Sequence, residues 1–133
     1  IYETIKLYIP EKPLPFNKYY YYLAGAVLIV AAGNYSSQYY TSTVMIFSAA
    51  FLMVAATFKP AILQSRVYWL SILITYLPFL LVNYFLTAPP IVWYSPEAIW
   101  GMRFTTIPVE DFFYSFSMIS WWFFFYLLFK KEI

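Results

Sequence analysis

The 133-residue sequence contains neither cysteine nor histidine. Lack of cysteine rules out disulfides and thiolate metal sites. Lack of histidine removes the commonest metal ligand, the usual general base and every Ser-His-Asp or Cys-His nucleophile system. Glycine occurs only as Gly25, Gly33 and Gly101, a spacing that does not resemble a phosphate-cradling loop. Charge is scarce as well, at 11% of residues against about 25% in a typical soluble domain. A net charge of +2, with no basic cluster interleaved with aromatics, argues against a nucleic-acid partner. Chemistry on this chain must rest on carboxylates, arginine, phenols, indoles and amides.

What is abundant is apolar surface. Hydrophobic residues make up 63% of the chain and aromatic residues 26%. A domain this small leaves much of its surface exposed, so that surface must face lipid. Four apolar segments follow one another, at 19–32, 40–58, 67–86 and 108–129, the third with Pro78 inside it. The pattern predicts an all-α, polytopic membrane helix bundle of about four transmembrane helices. Residues 1–16, IYETIKLYIPEKPLPF, read as the tail of a preceding membrane helix and a linker, so the chain is expected to be a fragment of something longer. Residues 17–133 read as one membrane domain.

If every segment spans, Lys6, Lys12, Lys18, Lys59, Arg66, Lys130 and Lys131 all fall on one side, and Arg103 alone on the other. The positive-inside rule then puts both ends of the chain in the cytoplasm. The 87–107 connection is long and aromatic. Its Ile91, Val92, Trp93, Tyr94, Ile99, Trp100 and Phe104 ask for burial, which predicts a lid or re-entrant element across the mouth of the bundle.

That connection runs into TTIPVEDFFYSF, where Glu110 and Asp111 stand together at the edge of the most aromatic segment. With Pro108 as the first helical residue and Ile107 as the cap, both acids lie in the first turn. One reading is that they complement the helix dipole and the cap amide. The other is functional, because one acid suffices for a cap and ionised groups are costly at membrane depth. Helical spacing puts Glu110, Tyr114, Ser117 and Trp121 along one stripe, and Asp111, Tyr114, Met118 and Trp122 along its neighbour. Such stripes either line a cavity or pack against other helices. Arg103, Glu97 and Asn83 are the polar groups expected to converge on the pair. Arg103 would hold one carboxylate ionised while the other, desolvated beside it, keeps a proton, or would form a plain structural salt bridge.

The run PPIVWYSPEAIWGMRFTTIPVEDFFY resembles the C-terminal half of the small membrane lycopene cyclases, whose two related domains each open a membrane helix with Pro-x-Glu-(Glu/Asp). Pro108-Val109-Glu110-Asp111 fits that motif, and NKYYYYLAGAVLIVAAGNYS and LVNYFLT are also similar to the two-domain cyclases. The family often has an Asn near the middle of the final helix, where this chain reads SWWFFFY, which puts substrate orientation or product type in doubt. The resemblance implies an integral protein of a prokaryotic cytoplasmic membrane that converts the ψ-ends of lycopene to β-ionone rings. It implies Glu110 and Asp111 as catalytic acid and base in an unassigned order, with Arg103 tuning them. Tyr114, Trp93, Tyr94, Asn83, Glu97 and Trp121 would bind substrate. Expected partners are lycopene or a related polyene, the lipid bilayer and an N-terminal cyclase half, in the same chain or as a separate subunit. The chemistry requires no cofactor, although a reduced nucleotide or flavin in a non-redox role stays open, and no metal is expected. Alternatives are a cyclase of C50 carotenoids or of another ring isomer, and a non-catalytic carotenoid-binding subunit.

Overall fold

The computed structural model describes residues 1–130; Lys131, counted above with the basic residues, lies outside them. The element order is α1 Tyr2–Tyr8, α2 Lys18–Asn34, α3 Tyr39–Phe58, α4 Pro60–Gln64 and α5 Arg66–Thr87, then strands β1 Arg103–Phe104 and β2 Ile107–Pro108, and α6 Val109–Lys130. The four long helices coincide with the four apolar segments, and the protein is an all-helical bundle. Local chemistry sets their ends. The Asn17 side chain accepts from the Tyr19 amide to cap α2, and the Ser65 hydroxyl caps α5 through the Tyr68 amide. Pro60 opens the one-turn α4, where its missing N–H costs nothing.

Two details differ from expectation. Among the described residues, α3, α5 and α6 are long and apolar enough to cross a membrane. The 17 residues of α2 give a helix of about 26 Å, short of a hydrocarbon core of roughly 30 Å. The second difference concerns Pro108, which does not start α6. It pairs with Arg103 across a two-residue antiparallel hairpin turned by Thr105 at φ 56°, and the helix begins one residue later. Proline tolerates a strand edge because it has no N–H to waste. Glu110 and Asp111 still fall in the first turn of α6.

Helices α2 and α6 both pack on α3. A side chain at Gly25 of α2 would meet Met53 of α3 at 2.9 Å, so glycine is what lets these two helices approach. Phe51 of α3 is wholly buried between Phe116 and Trp121 of α6 and Tyr68 of α5. On α5 the packing is uneven. Val67, Tyr68, Ser71 and Ile72 are buried, whereas Leu77, Leu81, Val82 and Phe85, around and beyond Pro78, are exposed. Those exposed apolar faces suit lipid.

Residues 1–16 fold onto the end of the bundle where α5 begins. Glu11 accepts from the Ser65 hydroxyl and from the Arg66 amide, Pro13 bridges Ser65, and Tyr2 sits edge-on to Phe123 at 4.5 Å. The opposite end gathers the start of α3, the end of α5, the start of α6 and the 88–108 connection.

In the core, Tyr68 and Ser120 exchange a hydroxyl–hydroxyl bond of 2.7 Å, and both residues are fully buried. Ser120→Ala strands the phenol oxygen in an apolar core and should cost about 1–3 kcal/mol. Tyr68→Phe should cost less than Ser120→Ala, because the serine left behind can bond back to a carbonyl of its own helix. Denaturation of the two variants in detergent micelles tests this order.

Candidate active site

Asp111 is the hub of the connection end. Its Oδ1 accepts from the Tyr40 hydroxyl at 2.6 Å, and its Oδ2 from Asn83 Nδ2 at 2.8 Å and the Tyr94 hydroxyl at 2.6 Å. The three donors come from α3, α5 and the 88–108 connection, so one carboxyl ties three separate segments to α6. Asp111 is 2% exposed. A carboxyl group buried that deeply is tolerable only when hydrogen bonds replace the lost water, and three donors do so. The rings of Tyr40 and Tyr94 stack 5.7 Å apart at 20°, which holds both phenols against the same group. Burial, and then the bond to Asp111, push the Tyr94 phenol above its ordinary pKa, so Tyr94 remains a neutral donor.

Asp111 opens onto a cleft of about 640 Å³ between α5 and α6, lined by Tyr40, Pro78, Phe79, Val82, Asn83, Leu86, Tyr94 and Tyr114. Its walls are apolar or aromatic apart from the carboxyl, its donors and the Tyr114 phenol. The cleft begins at Pro78, the level at which α5 stops packing tightly.

Glu110 faces elsewhere. It is 1% exposed, and its Oε1 accepts from the Thr41 hydroxyl and the Trp100 amide. Its Oε2 is buried without a hydrogen-bond partner among the described residues. The two acids are adjacent in sequence, yet only Asp111 lines the cleft.

The other expected site residues divide. Asn83, Tyr94 and Tyr114 are brought to the cleft. Arg103 is exposed and bonds the Thr106 carbonyl at 2.8 Å; its guanidinium lies 6.0 Å from the Tyr94 ring and forms no ion pair with either acid among the described residues. Among the described residues its link to Asp111 runs through Tyr94. Glu97 and Trp93 are exposed on the connection, the latter at 74%. Trp121 packs edge-on to Phe51 and donates its indole N–H to the Phe47 carbonyl at 3.3 Å, away from the cleft.

The connection does fold back across the bundle. The Ala98 carbonyl takes the Tyr40 and Thr41 amides at the open start of α3, and the Trp100 ring packs at a tilt against Tyr35, just past the end of α2. Its apolar side chains are less buried than expected, however. Ile99 is covered and Tyr94 partly so, whereas Ile91, Val92, Trp93, Trp100 and Phe104 remain exposed, because the backbone anchors the segment more than the side chains do.

Tyr40 and Thr41 escaped the reading from sequence. A tyrosine at the start of an apolar segment looks like an interfacial anchor. Nothing local marks it as the partner of an acid 71 residues away.

A hydrogen-bonded carboxyl beside aromatic faces in an apolar cleft suits proton transfer to and from an apolar molecule. A family model described as lycopene cyclase matches residues 37–129, which takes in α3, α4, α5, the whole connection and nearly all of α6. No curated protein and no solved structure matches the chain. With more than half its length matched, including every residue of the Asp111 network, the chain belongs to the lycopene cyclase family.

Proposed function

We propose that the protein closes β-ionone rings at the ψ-ends of lycopene, with Asp111 as the group that moves the proton. The observation that carries this reading is the placement of Asp111, a carboxyl with three fixed donors facing an apolar cleft. The carboxyl adds H⁺ to the terminal double bond, and the neighbouring alkene attacks the tertiary cation to close the ring. Loss of a ring proton to the carboxylate then leaves the ring double bond. One proton is added and one removed, so the reaction is an isomerisation that needs no oxidant or reductant. A single carboxyl can serve both steps.

The donors matter most while the cation exists. When the proton leaves, negative charge appears on Asp111, and Tyr40, Tyr94 and Asn83 already point at it. The faces of Phe79, Tyr114 and the two stacked phenols suit a carbocation for the same reason that they suit an ammonium ion. Arg103, over the outer face of Tyr94, biases that phenol rather than the acids. Substrate reaches the cleft from the hydrocarbon, past the exposed Val82 and Leu86. The bilayer is then both solvent and reservoir. By the positive-inside rule the end holding Lys18, Lys59, Arg66 and Lys130 lies in the cytoplasm and the Asp111 end faces away from it. An N-terminal cyclase half supplies the second domain of the family's arrangement.

The test is expression of the full chain in lycopene-accumulating membranes, with identification of the pigment formed. Asp111→Asn should lower ring formation at least 100-fold. Unaltered lycopene bound to the wild-type protein would mean a carrier, a different ring would mean another cyclase, and ring closure by Asp111→Asn would remove the assignment of the site.

The cleft itself gives a separate expectation. Val82→Trp fills the space opposite Asp111 without touching its hydrogen bonds, so turnover should drop roughly tenfold or more while thermal stability changes little. Paired turnover and melting measurements would show it.

A further inference from the structure

The second acid of the motif has a different task. We infer that Glu110 is a positioning residue, a buried latch that fixes the 88–108 connection on α3 and thereby sets the two phenols on Asp111. This assignment rests on the reading of Asp111 as the proton-moving group.

The geometry is specific. Glu110 Oε1 takes two donors from two segments, the Thr41 hydroxyl of α3 and the Trp100 amide of the connection. Thr41 is wholly buried, so this junction is dry. The same two segments meet a second time two residues away, where the Ala98 carbonyl accepts the Tyr40 and Thr41 amides. Gly101, at φ +97°, then turns the chain from Trp100 into the hairpin, and the Val109 amide closes on the Met102 carbonyl. The latch therefore sits between the two residues whose phenols reach Asp111. Tyr40 directly precedes Thr41 on α3, and Tyr94 lies on the strapped connection. If Glu110 lets go, the connection loses the tie at Trp100 and keeps those at Met102 and Tyr94, so the Tyr94 hydroxyl and the Tyr40 ring stacked on it lose their registration.

A proton donor at Glu110 makes a different prediction from a latch. Glutamine keeps the accepting Oε1 but cannot deliver a proton. In the full chain with lycopene as probe, Glu110→Gln should form rings within about threefold of wild type and keep the wild-type pH–rate profile. Glu110→Ala should lose roughly 10- to 100-fold in kcat, the scale expected of displaced catalytic groups. Thr41→Val removes one donor and should cost about two- to tenfold, and Thr41→Val with Glu110→Ala should be no worse than Glu110→Ala alone. Hydrogen exchange gives a readout independent of turnover: the Trp100 amide should exchange faster in Glu110→Ala and at the wild-type rate in Glu110→Gln. Glu110→Gln as inactive as Asp111→Asn, a limb missing from its pH profile, or additive losses in the double variant would each overturn the proposal. A wild-type chain that forms no rings but shows the expected exchange pattern would support the latch and remove the cyclase reading instead.

Discussion

The connection end of this protein is organised by the need to satisfy one buried carboxyl. Asp111 cannot be removed from water unless donors replace water, and no neighbour in the first turn of α6 provides them. They come from Tyr40, Asn83 and Tyr94, which lie on three other segments. Each bond is therefore also a tertiary constraint. The carboxyl fixes where α3 starts relative to α6, how far the end of α5 can swing, and where the connection crosses. A site of this kind does not sit on a finished fold; at this end it largely is the fold.

Lipid as solvent explains why a cleft can exist beside so demanding a group. In water, the outward half of α5 would collapse onto α6 to hide Leu77, Leu81, Val82 and Phe85. In a bilayer those residues gain nothing by collapsing, since hydrocarbon already surrounds them. Helix α5 is held by Tyr68 and Ile72 on one side of Pro78, by Tyr76 and Phe79 against Phe112 beside it and by Asn83 near its end, while Leu77, Leu81 and Val82 turn out to the lipid. The proline marks the change, as expected where a helix gives up a backbone bond. The result is an apolar space with polar anchors at one end, which suits a hydrocarbon that must meet an acid.

Much of the bundle was legible in the sequence because membrane segments announce themselves by length and composition. The apolar runs at 40–58 and 67–86 became α3 and α5 nearly residue for residue. Features that depend on contacts between distant segments were not legible. Pro108 carries the signature of a first helical residue, yet the hairpin with Arg103 takes it, because pairing across Thr105 outweighs a one-residue helix extension. Arg103 looked like a counter-ion because it is close in sequence, but the hairpin turns it outward onto Thr106 and Tyr94. Tyr40 was invisible for the opposite reason, being remote in sequence and ordinary in type. Asn83 could be found because an amide inside an apolar run is costly unless it has a partner.

The adjacent acids show how helix geometry separates what sequence joins. Successive residues on an α-helix point about 100° apart, so two neighbouring side chains at its first turn cannot address the same cavity squarely. If one faces the gap toward α5, the other must face α3 or the connection, and both of these lie against α6 here. In this chain Glu110 and Asp111 accordingly meet two environments: Asp111 lines the cleft, and Glu110 faces Thr41 and Trp100. The proline preceding the pair ties its start to the hairpin, so the direction of the first turn is set by the connection. Glu110, in turn, holds the connection by the Trp100 amide. The arrangement is circular in the physical sense: the connection aims Asp111 at the cleft, and Glu110 keeps the connection where it can do so.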